Sequence, residues 1–513
     1  MPLVLLPLFR FLIGILSISV PRMRRFLTVL AHVVDGLLLA WLATDLVQGA
    51  PTLLAIGGTP EGIGISLIGD RIGMTFALLA WGLSIAVTIY AWKDQLRPYF
   101  FLLLHLLMGA CYALAFTRDL FNAYLLFELL TLVSFLLVGY QRHPRQILAS
   151  LRYLVLSSLG MSIFLFGVGV IYAHGGTLDI ALLQPIVSAA SGEPWVLLAA
   201  SLLVAGVAVK AGVFTFSLWL PSAHARAMPV VSALLSGLVI KMGVLELFRL
   251  ADLLPIQLPL VVLGAITGFL GILYAVSSHD IKKMLAFHTL SQIGYALIGF
   301  GAGTVEGRLG ALSYIVAHGL FKALLFLAVG EAATHAGNAQ LQTLKRHKHA
   351  IPWGARAAMI IGTLGIIGLP PLAGFDAKAI LEDGLPTLAL RVIVFLISIG
   401  TVVSFAKLVP ILFARSTCRT SRSRALAYGW LGGLILLFWP VAILMTSATI
   451  SAHAFSVAHI AEALTAIALG GIVYSLTHKR VLRLPDTPFH LEESPLYILV
   501  GFFVVFALLA WGA

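Results

Sequence analysis

Isolated charged residues interrupt long apolar runs in this chain. Glu128 lies in FNAYLLFELLTLVSFLLVG, Lys210 in LLVAGVAVKAGVF, Lys241 in SALLSGLVIKMGVL, Lys322 in IVAHGLFKALLFL and Lys378 in LAGFDAKAIL. A charge at the centre of a bilayer costs at least ~2.5–3.5 kcal/mol, so such residues face a polar or wet interior and serve ion or proton movement. His318 stands four residues before Lys322, on the same face of a helix. His105, in LLLHLLMG, reads as a histidine satisfied within the membrane, and Lys407 as a side chain able to snorkel to the interface.

The elements that carry these residues are set by composition. The chain is 60% hydrophobic and 11% charged, with a mean hydropathy of +1.03. A soluble domain carries about 25% charged residues. Apolar stretches of membrane-spanning length recur near 1–20, 26–47, 71–92, 98–116, 119–140, 151–173, 196–220, 229–250, 255–277, 284–303, 309–333, 355–384, 388–414, 427–448, 456–476 and 495–512. This predicts an all-α, polytopic transmembrane protein with about 14–16 helices. The last two segments are short and fit a place outside the core. A β-barrel would need ~10-residue alternating segments, and there are none. The apolar N-terminus lacks a cationic leader and a cleavage site and reads as the first span, not a signal peptide.

The net charge of +12 does not point to nucleic acid. Lysine and arginine gather in loops after odd-numbered segments, as at Arg22, Arg24 and Arg25, at Lys345, Arg346 and Lys348, and in TCRTSRSRA at 417–425. Loops after even segments are poor in both, with Arg118 and Arg308 as exceptions. The positive-inside rule then puts the odd loops in the cytoplasm and both termini outside, in a bacterial or archaeal cell membrane. Cys111 and Cys418 form neither a disulfide framework nor a metal site. No phosphate loop, CxxC or HExxH is present, so no cofactor or metal is implied, and the chain has no catalytic centre of its own.

Two segments read as discontinuous. In the seventh, Pro221 and Pro229 bracket a polar stretch with Ser222, His224 and Arg226. In the twelfth, Pro370 and Pro371 fall in mid-segment. Proline removes a backbone donor, which a membrane tolerates only where protein or water makes good the loss. The breaks are five segments apart, with Lys210 and Lys378 beside them. Five is odd, so this predicts an inverted repeat. The units are 98–251, helices 4–8, and 252–415, helices 9–13, flanked by 1–97 and 416–513. In this register Lys241 matches Lys407, and the segment of Glu128 matches that of His288.

The blocks KAGVFTFSLWLPSAHARAMPVVSALLSGLVIKMG, DIKKMLAFHTLSQIGYALIG, IVAHGLFKALLFLAVG and GIIGLPPLAGFDAKAIL resemble the antiporter-like subunits of respiratory complex I and Mrp cation/proton antiporters, over roughly residues 70–415. The lead-in TRDLFNAYLLFELL is most similar to the D-type polypeptide of Mrp antiporters and its counterparts in membrane-bound hydrogenases. The resemblance implies a proton relay. Glu128 would be its acidic partner, Lys210 the lysine of the broken seventh helix and Lys241 the linking lysine. His318 and Lys322 would continue the axis, and Lys378 would be the lysine of the broken twelfth helix. Ser222 stands where the family has an aspartate, Met228 and Val231 depart from its Ala-Pro-Thr-Pro run, and Asp376 adds an acid near Lys378. The implied partners are other membrane subunits, the lipid bilayer, protons and a coupling cation such as Na+.

Three functions fit. The first is the proton-translocating subunit of a multi-subunit Na+/H+ antiporter. The second is a membrane-arm subunit of complex I or of a hydrogenase, driven by a redox partner. The third is a lone carrier of a small organic solute. Thiol labelling of cysteines placed at 417–425 is expected to report the cytoplasmic side. Labelling there from outside would overturn the topology and the inverted repeat together.

Overall fold

In hydrocarbon only a helix or a closed barrel satisfies its own backbone, so long apolar runs without alternation become helices. The computed structural model describes residues 1–49, 51–58, 62, 64–437, 455–478 and 494–512. Among these residues, twelve helices are long and apolar enough to cross a membrane. The protein is a multi-pass, all-α membrane protein.

The chain opens with α1 (Pro2–Ser19) and α2 (Arg24–Val47). A small antiparallel hairpin follows, β1 (Thr52–Ala55) with β2 (Ser66–Gly69), an element that hydropathy does not signal. Next come α3 (Arg71–Tyr90), α4 (Pro98–Phe116), α5 (Leu120–Val138) and α6 (Pro144–Gly175). A short helix, α7 (Ile180–Ala189), precedes α8 (Pro194–Ala211), α9 (Leu220–Arg226), α10 (Pro229–Leu234) and α11 (Ile240–Leu253). The same order then recurs. It runs through α12 (Gln257–Ser277), α13 (Ile281–Gly301), α14 (Val305–Ala336), short α15 (Leu341–Arg346), α16 (Trp353–Ile367), α17 (Ala373–Asp383) and α18 (Leu388–Ala406). The four-residue α19 (Val409–Leu412), α20 (Arg422–Leu436), α21 (Val457–Thr477) and α22 (Ser494–Gly512) follow. The segment expected at 427–448 is described only to residue 437, and nearly all of the polar loop at 479–494 lies outside the described residues. The basic stretch 417–425 is loop only to Ser421, whose hydroxyl caps α20.

Local details repeat with the element order. Helices α5 and α13 are each capped by an aspartate, Asp119 accepting from the Asn122 amide and Asp280 from the Lys283 amide. Both α6 and α14 have 32 residues. The residues before α5 and α7 form a β-bridge, Asp119 with Asp179, and those before α13 and α15 do the same, Asp280 with Gln340. In the first copy Arg118 holds Asp179 at 2.8 Å. Burial opposes the Asp179 charge, but the hydrogen bonds from Arg118 and Ser66 outweigh it and hold this carboxyl below its ordinary range.

The helix breaks correct one expectation. Pro221 and Pro229 do not bracket the first break. Pro221 sits in the first turn of α9 and Pro229 opens α10, where a missing N–H costs nothing. The break comes at Gly212, which ends α8 at φ 84°, and Gly368 ends α16 at φ 80°. Only glycine adopts that left-handed turn without cost. Carbonyls freed at the end of α8 are met locally. Ser217 Oγ donates to Ala208 O at 3.1 Å, and Trp219 Nε1 donates to Val209 O at 3.0 Å. In the second break Pro370 and Pro371 fall in the unwound stretch, as expected.

One buried network ties the N-terminal helices together. Arg10 of α1 donates to Asp35 Oδ2 of α2 at 2.7 Å through Nε, and Tyr112 of α4 donates to the same oxygen at 2.6 Å. Arg10 also contacts Nδ1 of His105 at 3.0 Å and of His32 at 2.9 Å. Arginine only donates, so both Nδ1 atoms accept and both imidazoles are neutral, with Nε2–H facing Thr28 and Thr88. His105 is thus satisfied, as its sequence setting suggests. Breaking a buried pair strands a charge, at about 3–5 kcal/mol. Arg10→Ala is expected to lower the thermal midpoint of the purified protein markedly, and joint replacement of Arg10 by Met and Asp35 by Leu to recover part of the loss. Wild-type melting of Arg10→Ala would show that the network adds no stability.

Candidate functional site

Glu128 lies mid-way along α5 and is half-buried, while Lys210 lies in the last turn of α8 and is buried. The two are not in direct ion-pair contact. Lys210 Nζ donates to Thr131 Oγ1, and Thr131 donates to Phe127 O at 2.7 Å. Thr131 follows Glu128 by three residues, so both occupy one face of α5. The amine also lies 5.6 Å from the ring centre of Tyr153. Glu128 and Lys210 interact through space, with Thr131 as the polar group next to the amine.

The second lysine sits beside an irregular turn. Residues Leu235–Val239 form a π-turn between α10 and α11. Such turns are rare and concentrate at functional sites. Lys241 Nζ donates to the Ser236 carbonyl inside it at 2.6 Å. The Ser236 hydroxyl meets Thr289 Oγ1 of α13 at 2.9 Å, and Thr289 donates to Leu285 O at 3.1 Å. Lys322 Nζ of α14 donates to that same carbonyl at 2.6 Å. The Ser236–Thr289 contact therefore links the segments whose carbonyls hold two fully buried amines, neither of which has a carboxylate partner among the described residues.

His318 is fully buried one turn from Lys322 and stacks on Tyr314, with ring centres 6.2 Å apart. Neither ring nitrogen has a hydrogen-bond partner among the described residues. It lies within electrostatic reach of Lys241, Lys322, His288 and Lys378. Polar groups continue outward from it. Tyr314 donates to Gln292, which donates to Thr401 at 3.1 Å, and His288 bonds Ser404.

Lys378 lies in α17 against the second break. Its Nζ donates to Ile366 O at 3.2 Å, a carbonyl freed where α16 ends, and lies 3.5 Å from Ser398 Oγ. Tyr295 contacts Ser398 at 3.1 Å and donates to Glu382 Oε1 at 2.7 Å. Lys378 follows its break whereas Lys210 precedes its own, so the two do not occupy equivalent positions.

Glu128, Lys210, Lys241, His318 and Lys322 lie on helices long and apolar enough to cross a membrane, and Lys378 lies on the 11-residue α17. Lys241, His318, Lys322 and Lys378 fall within one electrostatic cluster, and Glu128 with Lys210 forms another. Lys407 does not serve as a counterpart of Lys241. It caps the end of α12, donating to Ala275 O at 3.4 Å and Ser278 O at 3.2 Å. Asp376 is buried, with both oxygens unpartnered among the described residues. Sequence reasoning missed Thr131, Ser236, Thr289, Tyr295 and Glu382. For Glu382 a signal existed, a carboxylate four residues after Lys378; the hydroxyls carry none.

Residues 117–406 match a family described as NADH:quinone oxidoreductase/Mrp antiporter, TM. The D-type polypeptide of the Na(+)/H(+) antiporter of Alkalihalophilus pseudofirmus is 30% identical over 390 residues, covering 73% of this chain and 79% of that protein. The N-type polypeptide of the NADH-quinone oxidoreductase of Desulforudis audaxviator is 29% identical over 392 residues, covering 73% and 78%. Two solved structures share the fold. A chain of the membrane-bound sulfane sulfur reductase, an archaeal respiratory membrane complex, superposes with a TM-score of 0.79 at 22% identity, over 91% of this chain and 98% of that one. A chain of the Mrp complex from Dietzia sp. superposes at 0.81 with 21% identity, over 98% and 60%.

Proposed function

We propose a function from one premise: the chain belongs to the NADH:quinone oxidoreductase/Mrp antiporter transmembrane family. It is the proton-translocating membrane subunit of a multi-subunit Na+/H+ antiporter, and it works among other membrane subunits in the lipid bilayer. Protons move along Glu128, Lys210, Lys241, His318, Lys322 and Lys378. The observation that carries this reading is the Ser236–Thr289 hydroxyl contact, which joins the Ser236 carbonyl held by Lys241 to the Leu285 carbonyl held by Lys322.

A carboxylate near an amine favours the ammonium, and its withdrawal favours proton release. Glu128 acts on Lys210 in this way, through space. Each lysine on the axis takes an uncharged oxygen as acceptor, so it can bind or lose a proton without breaking an ion pair. The axis runs through two five-segment units, 98–251 and 252–415, set in opposite orientation, with both termini on the outer side. A second reading is supported by the relative named as part of an NADH-quinone oxidoreductase. In that case a redox partner drives the same axis. Purification with native partners separates the two, since the second requires oxidoreductase subunits in the complex.

Lys210→Ala, in the whole complex in vesicles, is expected to abolish ion-driven pH changes, and Glu128→Gln to impair them with assembly intact. The double variant should lose little more than the worse single one, because members of one relay are non-additive. Near-normal flux in Lys210→Ala would leave the two residues as a structural pair. Removing both bridging hydroxyls with Ser236→Ala and Thr289→Val should slow flux by roughly tenfold, or ~1.4 kcal/mol on the barrier. Unchanged flux would take the hydroxyl pair out of the path.

A further inference from the structure

Lys378 is not the last titratable group at its end of the axis. Hydrogen-bonded contacts run on from its amine to Ser398 at 3.5 Å, from Ser398 to the Tyr295 hydroxyl at 3.1 Å, and from Tyr295 to Glu382 at 2.7 Å. Glu382 interacts electrostatically with Glu462 and His459 of α21 as well as with Lys378. Helix α21 lies beyond residues 117–406 and packs on α18. A small cavity of about 30 Å³ opens between α17, α18 and α21, lined by Lys378, Glu382, Ser398, His459 and Glu462. One water needs roughly 10–15 Å³ of such space and two to four polar partners. The cavity can therefore hold one or two waters linking the two glutamates.

Beyond the cavity the groups approach the surface. His459 Nε2 lies 3.0 Å from Asp383 Oδ1, and its Nδ1 lies 2.9 Å from Ser456. The Lys378 residue is 6% exposed, while the His459 side chain is 11% and the Asp383 side chain 34% exposed. This end of the fold is the turn after α17 and the start of α21, opposite the basic stretches at 345–348 and 415–424.

We propose that Glu462 and His459 of α21, together with Glu382, form the port through which Lys378 exchanges protons with the aqueous phase on the outer side. This rests on the relay reading. In the outward direction the Lys378 ammonium gives up one proton, which passes through Ser398 and Tyr295 to the Glu382 carboxylate. Glu382 hands it through the cavity to Glu462 or His459, and Asp383 and bulk water receive it. Each group gains one proton and loses one. Two carboxyls sharing a confined site resist holding two negative charges, which suits a pair that passes a single proton. A helix that looks peripheral by length thus completes the path.

The test uses the whole complex with its native partners, reconstituted in vesicles, with proton flux followed across a range of outer pH. Glu462→Gln is expected to lower flux roughly tenfold, less than the ~10²–10⁴-fold typical of a positioned proton-transfer group, because water in the cavity substitutes in part. It should also change the dependence on outer pH, as should His459→Gln, while Glu462→Asp restores both. Glu462→Cys should react with a membrane-impermeant thiol reagent from the outer side. Wild-type flux and pH dependence in Glu462→Gln and His459→Gln, with Lys378→Ala inactive, would overturn the port and leave the relay standing. Normal flux in Lys378→Ala would overturn the relay itself. Labelling of Glu462→Cys only from the inner side would overturn the outward placement.

Discussion

A buried amine with no carboxylate partner among the described residues is the constraint from which the centre of this protein follows. Lys241 and Lys322 are each fully buried and each donate to a backbone carbonyl at 2.6 Å. Such groups are costly in hydrocarbon unless hydrogen-bonded. A carbonyl dipole accepts from an ammonium and from a neutral amine alike. A carboxylate would instead fix the charge. Neutral acceptors keep these lysines tolerable without fixing their charge.

Irregular backbone supplies several of the acceptors. Ser236 lies inside a π-turn, and Ile366 lies at the end of a helix stopped by a left-handed glycine. At the other break the neighbouring chain turns back, and Ser217 and Trp219 meet the freed carbonyls. Discontinuity in these helices thus creates polar oxygen inside an apolar layer without adding charge. Irregular backbone at membrane depth persists only where protein or water satisfies it, so the breaks and the buried lysines support one another.

The N-terminal network shows the opposite use of buried charge. Arg10 donates to Asp35, His32 and His105 at once, and its fixed donor pattern leaves both imidazoles neutral. Protonating either ring would turn an N–H toward the guanidinium. The network is a clamp on α1, α2, α3 and α4, outside the family-matched core. The buried lysines rest on neutral acceptors, whereas the clamp holds its histidines, aspartate and tyrosine in one fixed hydrogen-bond pattern around Arg10.

The sequence alone determined the all-helical membrane architecture, because hydropathy over ~20 residues reports directly on a hydrocarbon slab. It also located the buried lysines, since a charge in an apolar run is visible without knowing its neighbours. It put the first break beside Lys210 but attributed it to proline, which is conspicuous, whereas the turn depends on Gly212, one glycine among many. It did not distinguish Lys210, before its break, from Lys378, after its own. The Ser236–Thr289 pair, the Thr131 contact of Lys210 and the place of Glu462 beside Glu382 were decided only by tertiary structure. A hydroxyl or an isolated glutamate carries no local sign of a partner fifty or eighty residues away. Helix packing brings those atoms within hydrogen-bond or electrostatic reach, and that distance is a property of the fold.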